Sequence, residues 1–240
     1  MMTALLLAVC AQAQVLRTAP RNETPKSLNR MALKAITPTG DQMWWGYYFG
    51  DKGWNPVGTG SAGTFDCAIR VPANHKYVGP STIKAIRFYL STASNVSMAK
   101  VWVSRSLPSD VDAADYVQNV ELSSLEDGPN EISLNTPFKV DNQNIYVGYS
   151  FTIKSAEYCI VQGGSYVANS LYLRSTSASE WGTISYLGCL GLHLLIEGGS
   201  YPSSEALPAD FGSAVAIIGS GYGLLLPSWR HSLSGAFPRR

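Results

Sequence analysis

Between residues 81 and 107 the chain reads STIKAIRFYLSTASNVSMAKVWVSRSL, and its apolar residues alternate. Ile86, Phe88 and Leu90 share one parity; after the polar break at residues 91–95, Ala99, Val101 and Val103 do the same. Period two is the geometry of a strand, whose successive side chains point to opposite faces. A break rich in Ser, Thr and Asn between two such runs predicts a β-hairpin with one buried face. An isolated hairpin is marginal in water, so partner strands are required on both sides.

The flanking sequence supplies them. Phe65, Cys67, Ile69 and Val71 alternate over residues 64–71, and Ile145, Val147, Tyr149, Phe151 and Ile153 over residues 144–153. Shorter runs at 116–122, 131–134, 158–161, 171–173, 181–186 and 190–196 read as further strands, with turn signals such as Glu126-Asp127-Gly128-Pro129-Asn130 between them. The spacing predicts an all-β fold of roughly nine to eleven strands, two antiparallel sheets packed as a β-sandwich, with no helix of useful length. The module runs from residue 42 to 199.

Outside it, residues 1–13 have an apolar run and an Ala11-Gln12-Ala13 triplet that fit a secretory signal cleaved after Ala13. Acylation of Cys10 is the rival reading, weakened by Val9 where a small residue is expected. Residues 14–41, with Pro20, Pro25 and Pro38, read as a linker. Residues 200–240 read as a second linker and the truncated start of a following module, poorly ordered. Their apolar part is too short to span a bilayer, so no transmembrane segment is expected, and the protein is expected to be secreted or at the cell surface.

Charged residues are only 15% of the chain and the net charge is +1, with no run of Lys or Arg. That excludes the electrostatic footprint of a nucleic-acid partner. Gly58-Thr59-Gly60-Ser61-Ala62-Gly63 matches the dinucleotide fingerprint in letters, but a strand follows it where a helix is needed, and residues 50–63 read as a loop at one end of the sandwich. Asp110, Asp112 and Asp115 invite calcium, yet the loop lacks the Gly and distal Glu of an EF-hand. Ser109 followed by Asp112 reads instead as an N-cap opening a helical turn. No metal site and no cofactor are expected, structural calcium remaining unsupported.

Aromatic residues crowd the stretch QMWWGYYF at 42–49. Alternation sends them to both faces, so some are expected at solvent, where a flat apolar ring with a polar edge suits a sugar or a protein. Trp44, Trp45, Tyr48, Trp54 and Trp181 are the candidate contact residues. The structural alternative is a first strand buried on one side and covered by a loop on the other. Past the signal three cysteines remain; Cys159 and Cys189 are the candidate disulfide pair, with Cys67 in the core. No CxxC, HExxH or GxSxG motif occurs. Cys67 lies on an apolar strand face where burial leaves a thiol inert, and His193 sits among leucines, so no catalytic residue is expected.

WWGYYFGDKGW, IKAIRFYL, KVWVSRSLP, NIYVGYSF and the closing LHLLIEGG resemble the jelly-roll modules of cleaved-adhesin type in surface proteins of Gram-negative anaerobes. The resemblance covers about residues 43–199. It implies a galactose-binding-like sandwich without catalysis, adhering to host or matrix proteins, haem proteins or glycans, in some members with structural calcium. The acidic calcium loop of better-known members has no counterpart here. Two expectations follow: a secreted or surface binding module for a host protein or glycan, or an accessory or spacer domain of a larger secreted hydrolase such as a cysteine peptidase, with no ligand of its own.

Overall fold

The computed structural model describes residues 17–18, 36–48, 55–175 and 180–199. Readings of residues 1–13 and 200–240, and of Trp54, lie outside the described residues. The strands are β1 (Arg17–Thr18), β2 (Gln42–Trp45), β3 (Asn55–Thr59), β4 (Gly63–Val71), β5 (Ser81–Leu90), β6 (Val96–Ser104), β7 (Tyr116–Asn119), β8 (Gly128–Val140), β9 (Ile145–Ile153), β10 (Glu157–Gly163), β11 (Tyr172–Ser175), β12 (Cys189–Leu190) and β13 (Leu192–Glu197). The larger sheet runs β1-β3-β10-β5-β13-β2, with β12 on β10 and β8 on β5; the smaller runs β11-β4-β9-β6-β7. Every named strand pairing is antiparallel. The chain is an all-β sandwich, and among the described residues the only helices are single 3-10 turns at Val111–Ala113 and Leu122–Ser124.

The alternating residues meet between the sheets. Ile86, Phe88, Leu90, Leu192 and Leu194 come from the larger sheet; Phe65, Cys67, Ile69, Val101, Val103 and the odd-numbered residues of β9 come from the smaller. Phe88 stacks on Tyr149 across the interface with centroids 4.7 Å apart, and Tyr149 continues to Phe151 at 5.8 Å. Each large side chain so buried contributes roughly 1.5–3 kcal/mol. The parity survives local interruptions, as between Val96 and Met98 in β6; in β5 Lys84 is an extra residue, since Ile83 pairs with Ile196 and Ala85 with Leu195. Such a bulge puts Ile83 and Ile86 on the same inner face.

The expected hairpin does not form. β5 lies between β8 and β13 in the larger sheet, and β6 between β9 and β7 in the smaller, so residues 91–95 cross from one layer to the other. Alternation fixes which face is buried, and a polar break fixes a reversal; neither tells a turn within one sheet from a crossing between two. Residues 50–63 also differ from the expected loop, because Asn55–Thr59 is a strand paired to β10. Gly58 permits that pairing: a Cβ there would meet the Glu157 carbonyl oxygen at 1.8 Å. Residues 181–186 make only a single bridge, Leu173 to Gly182, and no strand. The turn at Val111–Ala113 is capped by Asp110, whose carboxylate accepts the Asp112 N–H at 3.0 Å, one residue later than Ser109. In the expected linker, Arg17–Thr18 pairs with β3 and residues 36–41 fold back before β2.

Gly148 in β9 faces outward between Ala68 and Trp102. A Cβ there would lie 2.3 Å from the Trp102 ring and 2.4 Å from the Cys67 carbonyl oxygen. Gly148→Ala is expected to destabilise the fold by about 1–3 kcal/mol or more through overpacking, read as a lower midpoint in urea unfolding.

Candidate functional site

The outer face of the smaller sheet is covered, and a buried ion pair covers it. Asp66 of β4 points away from the core; its Oδ1 accepts the Ser150 hydroxyl at 2.6 Å and its Oδ2 accepts Arg174 Nε and Nη2 at 2.9 and 2.7 Å. Trp102 Nε1 donates to Ser150 Oγ at 3.1 Å. The remaining Arg174 nitrogen, Nη1, donates to the carbonyls of Pro108 and Ser109 at 2.9 and 2.7 Å, tying residues 105–115 to the sheet. Trp181 donates to the same Pro108 carbonyl at 2.9 Å and lies 4.7 Å beneath the Arg174 guanidinium. Buried charges are tolerated when paired and fully hydrogen-bonded, and Asp66 and Arg174 are.

The outer face of the larger sheet carries a second polar set. Arg87 of β5 donates from Nε to Glu131 Oε1 of β8 at 2.7 Å, and its guanidinium lies 4.0 Å over the Trp44 ring. Tyr48 and Tyr89 meet edge to face at 5.1 Å beside His193, whose Nε2 sits 2.5 Å from the Tyr48 carbonyl oxygen. A carbonyl only accepts, so His193 carries its proton on Nε2, and its buried Nδ1 has no partner among the described residues. Burial, reinforced by the positive charge of Arg87, pushes the imidazole down to about 4. Gly46 admits the ring, since a Cβ there would stand 2.7 Å from His193 Cδ2.

Of the aromatic candidates, Trp45 and Tyr48 are buried, while Trp44 and Trp181 are half-buried and hydrogen-bonded to backbone. Trp45 faces the core against Tyr47 and His75; Trp44 and Tyr48 lie over the larger sheet; Trp181 lies over the smaller. These four do not share one exposed face. Among the described residues the large apolar side chains most open to solvent are Tyr186, 78% exposed, and Val167, 47%. Both stand on connections at one end of the sandwich. Leu173 and Gly182 exchange two backbone hydrogen bonds of 2.9 Å, Leu187 is buried, and Gly188 packs so closely that a Cβ would meet the Gly163 carbonyl oxygen at 2.4 Å. Tyr186 thus stands on a short loop fixed at both ends. Sequence reading placed it at the end of a strand; its neighbours Ser185 and Thr183 carry no alternation that would have set it apart.

The expected pairing of Cys159 with Cys189 is corrected: both are free thiols. Cys189 lies opposite Gly163, four residues along β10 from Cys159, about 13 Å of strand where a bridge needs Cα atoms within about 7 Å. Cys159 donates to the Thr92 carbonyl and Cys189 to the Ser165 carbonyl. Burial holds the Cys67 thiol well above its ordinary range and raises Cys159 to about 12, so both stay protonated and weakly nucleophilic at neutral pH. Asp112 pairs with Lys100, and Asp115 accepts the Arg105 N–H at 2.7 Å and pairs with its guanidinium. No group of three or more potential metal ligands occurs among the described residues, and no described helix is long and apolar enough to cross a membrane.

No family model matches the chain, and no curated protein sequence matches it. Solved structures do. A clostridial cysteine protease, Cwp84, after propeptide cleavage is similar with a TM-score of 0.46 and 6% identity, over 67% of this chain and 41% of that one. The cysteine protease and lectin-like domains of Cwp84, a surface layer associated protein of Clostridium difficile, give 0.42 and 7%, over 67% of this chain and 36% of that one. The chain therefore spans about two fifths of the length of either.

Arg174→Met leaves the Asp66 carboxylate buried without its cation and is expected to cost about 3–5 kcal/mol, whereas a variant that also replaces Asp66 by Leu recovers most of it; urea unfolding of both measures the difference. For His193 the unfolded imidazole titrates near 6.5 and the folded one near 4. The unfolded state therefore binds the extra proton between those values. Stability is full above about pH 6.5 and falls as pH drops toward 4, by up to about 3 kcal/mol. His193→Gln is expected to remove that slope from melting curves taken between pH 4 and 7.

Proposed function

We propose that the protein is a non-catalytic module, secreted or held at the cell surface, that binds a host or matrix protein or a glycan. In finer terms it is a jelly roll of galactose-binding type. The observation that carries the reading is Tyr186, a large ring left open to solvent on a loop fixed at both ends. Loops on a rigid sandwich are where such scaffolds carry recognition, and an aromatic ring that loses little freedom on binding makes an efficient anchor. The described thiols held in their protonated forms, and a His193 whose proton goes to a backbone carbonyl, support a role without nucleophilic chemistry. The apolar run and Ala11-Gln12-Ala13 triplet support secretion.

Binding of the purified protein to glycan and matrix-protein arrays, repeated with Tyr186→Ser and Tyr186→Phe, tests this. A saturable ligand is expected whose affinity falls about tenfold or more with Tyr186→Ser, is largely kept with Tyr186→Phe, and changes without loss of melting temperature. No saturable ligand on either array favours the second reading, an accessory or spacer domain of a larger secreted hydrolase such as a cysteine peptidase.

A further inference from the structure

Tyr186 and Val167 stand on two turns of the same construction. In the first, the Ser170 N–H donates to the Val167 carbonyl at 3.1 Å; in the second, the Leu187 N–H donates to the Ile184 carbonyl at 3.1 Å. Each turn sets one side chain against the core, Tyr166 or Ile184, and sends another outward, Val167 or Tyr186. The two are joined behind. Cys189 Sγ donates to the Ser165 carbonyl at 3.2 Å, the Leu190 N–H donates to the Ser170 carbonyl at 3.0 Å, and Gly188 lies directly against the carbonyls of Gly163 and Gly164. Asn169 completes the first turn with a left-handed φ of 73°, and its Oδ1 accepts the Tyr172 hydroxyl at 3.3 Å. The surface is therefore built before any ligand arrives.

Its chemistry is narrow. Residues 163–170 and 182–190 include no charged side chain, and the polar side chains exposed on them are Ser165, Thr183 and Ser185. Among the described residues the only other large apolar side chain that is exposed is Leu122, on the 3-10 turn between β7 and β8. A stable protein interface buries about 800 Å² on each side around an apolar centre of several large side chains. One phenol ring and one isopropyl group, set among hydroxyls, fall short of that. A sugar ring asks for less: the C–H bonds of one face stack on an aromatic ring, and its hydroxyls exchange hydrogen bonds with hydroxyl neighbours. We propose that the two turns together form a subsite for an uncharged saccharide, its ring on Tyr186 and Val167 and its hydroxyls on Ser165, Thr183 and Ser185. The proposal rests on the reading of Tyr186 as a contact residue and narrows it, setting aside protein, sialylated and sulfated ligands. An anionic sugar would lose hydration at its carboxylate or sulfate and find no cation on either turn. Turns already fixed by hydrogen bonds reduce the ordering cost of binding a small ligand.

The test uses the full chain and an array of neutral hexose oligosaccharides, each printed beside its sialylated and sulfated counterpart, with calorimetry on the best neutral member. The neutral sugar is expected to bind at least about tenfold more tightly than its anionic counterparts, to lose about tenfold in Tyr186→Ser and to be retained in Tyr186→Trp. Val167→Ser, on the other turn, is expected to weaken it about threefold. Ser185→Lys supplies the missing cation and is expected to move the preference toward the sialylated or sulfated member by about tenfold. All four positions are exposed, and equal melting temperatures confirm that each variant is folded. A matrix protein bound saturably and lost with Tyr186→Ser keeps the binding reading and overturns this one. So does a natural chain that prefers the anionic sugar, or neutral-sugar binding that ignores both Tyr186→Ser and Val167→Ser. The absence of any saturable ligand, sugar or protein, overturns both readings together.

Discussion

The carboxylate of Asp66 stands at the centre of the fold's outer architecture. It is an outward residue of a central strand pair, where a charge normally meets water, and here it meets Arg174 instead. That pair converts the bare back of a five-stranded sheet into a covered one. Arg174 reaches over to two carbonyls of the 105–115 connection, and Trp181 closes the same carbonyl from the other side. Gly148 clears the space in which Trp102 lies flat enough to reach Ser150. The segment that ends at Leu187 and carries Tyr186 therefore begins, at Trp181, on this same network.

The two outer faces solve one problem in different ways. A sheet of a sandwich buries one side for free and must then leave the other wet or cover it. On the smaller sheet the cover is made by connections between strands, secured by a network in which every named polar atom has a partner. On the larger sheet Arg87, Glu131 and Trp44 form a similar set, but the atom that completes it comes from the backbone ahead of β2. His193, with Nδ1 left unmatched among the described residues, leaves polar satisfaction on that second face incomplete. Incomplete satisfaction inside a low-dielectric layer is costly, and it is commonly retained where something other than stability is at stake.

Much of this was legible in the sequence, and the limits are physical. The inward residues of β4, β5, β6 and β9 read correctly because parity is a local property of a pleated chain. The pairing of β5 was misread because partner choice is a property of the whole: both its edges are occupied by strands from residues 128–140 and 192–197, far from residue 90. Aromatic crowding at 42–48 pointed to both faces, as alternation requires, yet gave no sign that Tyr48 is closed off by Tyr89 and His193. Asp66 and Arg174 look in the sequence like ordinary solvent-facing positions of two strands. Only the distant approach of Pro108 and Ser109 makes them interior. Gly58 and Gly148 carried information of the same kind, since what each makes room for lies elsewhere in the chain.

The placement of β13 has a bearing on how the protein is made. It lies between β5 and β2, so among the described residues β2 has no neighbour until β13 arrives; Gln42 and Glu197, joined side chain to side chain, are 155 positions apart. During synthesis at the usual pace that interval is roughly ten to thirty seconds. Throughout it Met43 and Trp45 lack the strand they pair with, and the edge of β5 that β13 covers stays open. Closure of the larger sheet at that edge therefore waits on the most C-terminal of the described strands, whatever has already paired among β3 to β11.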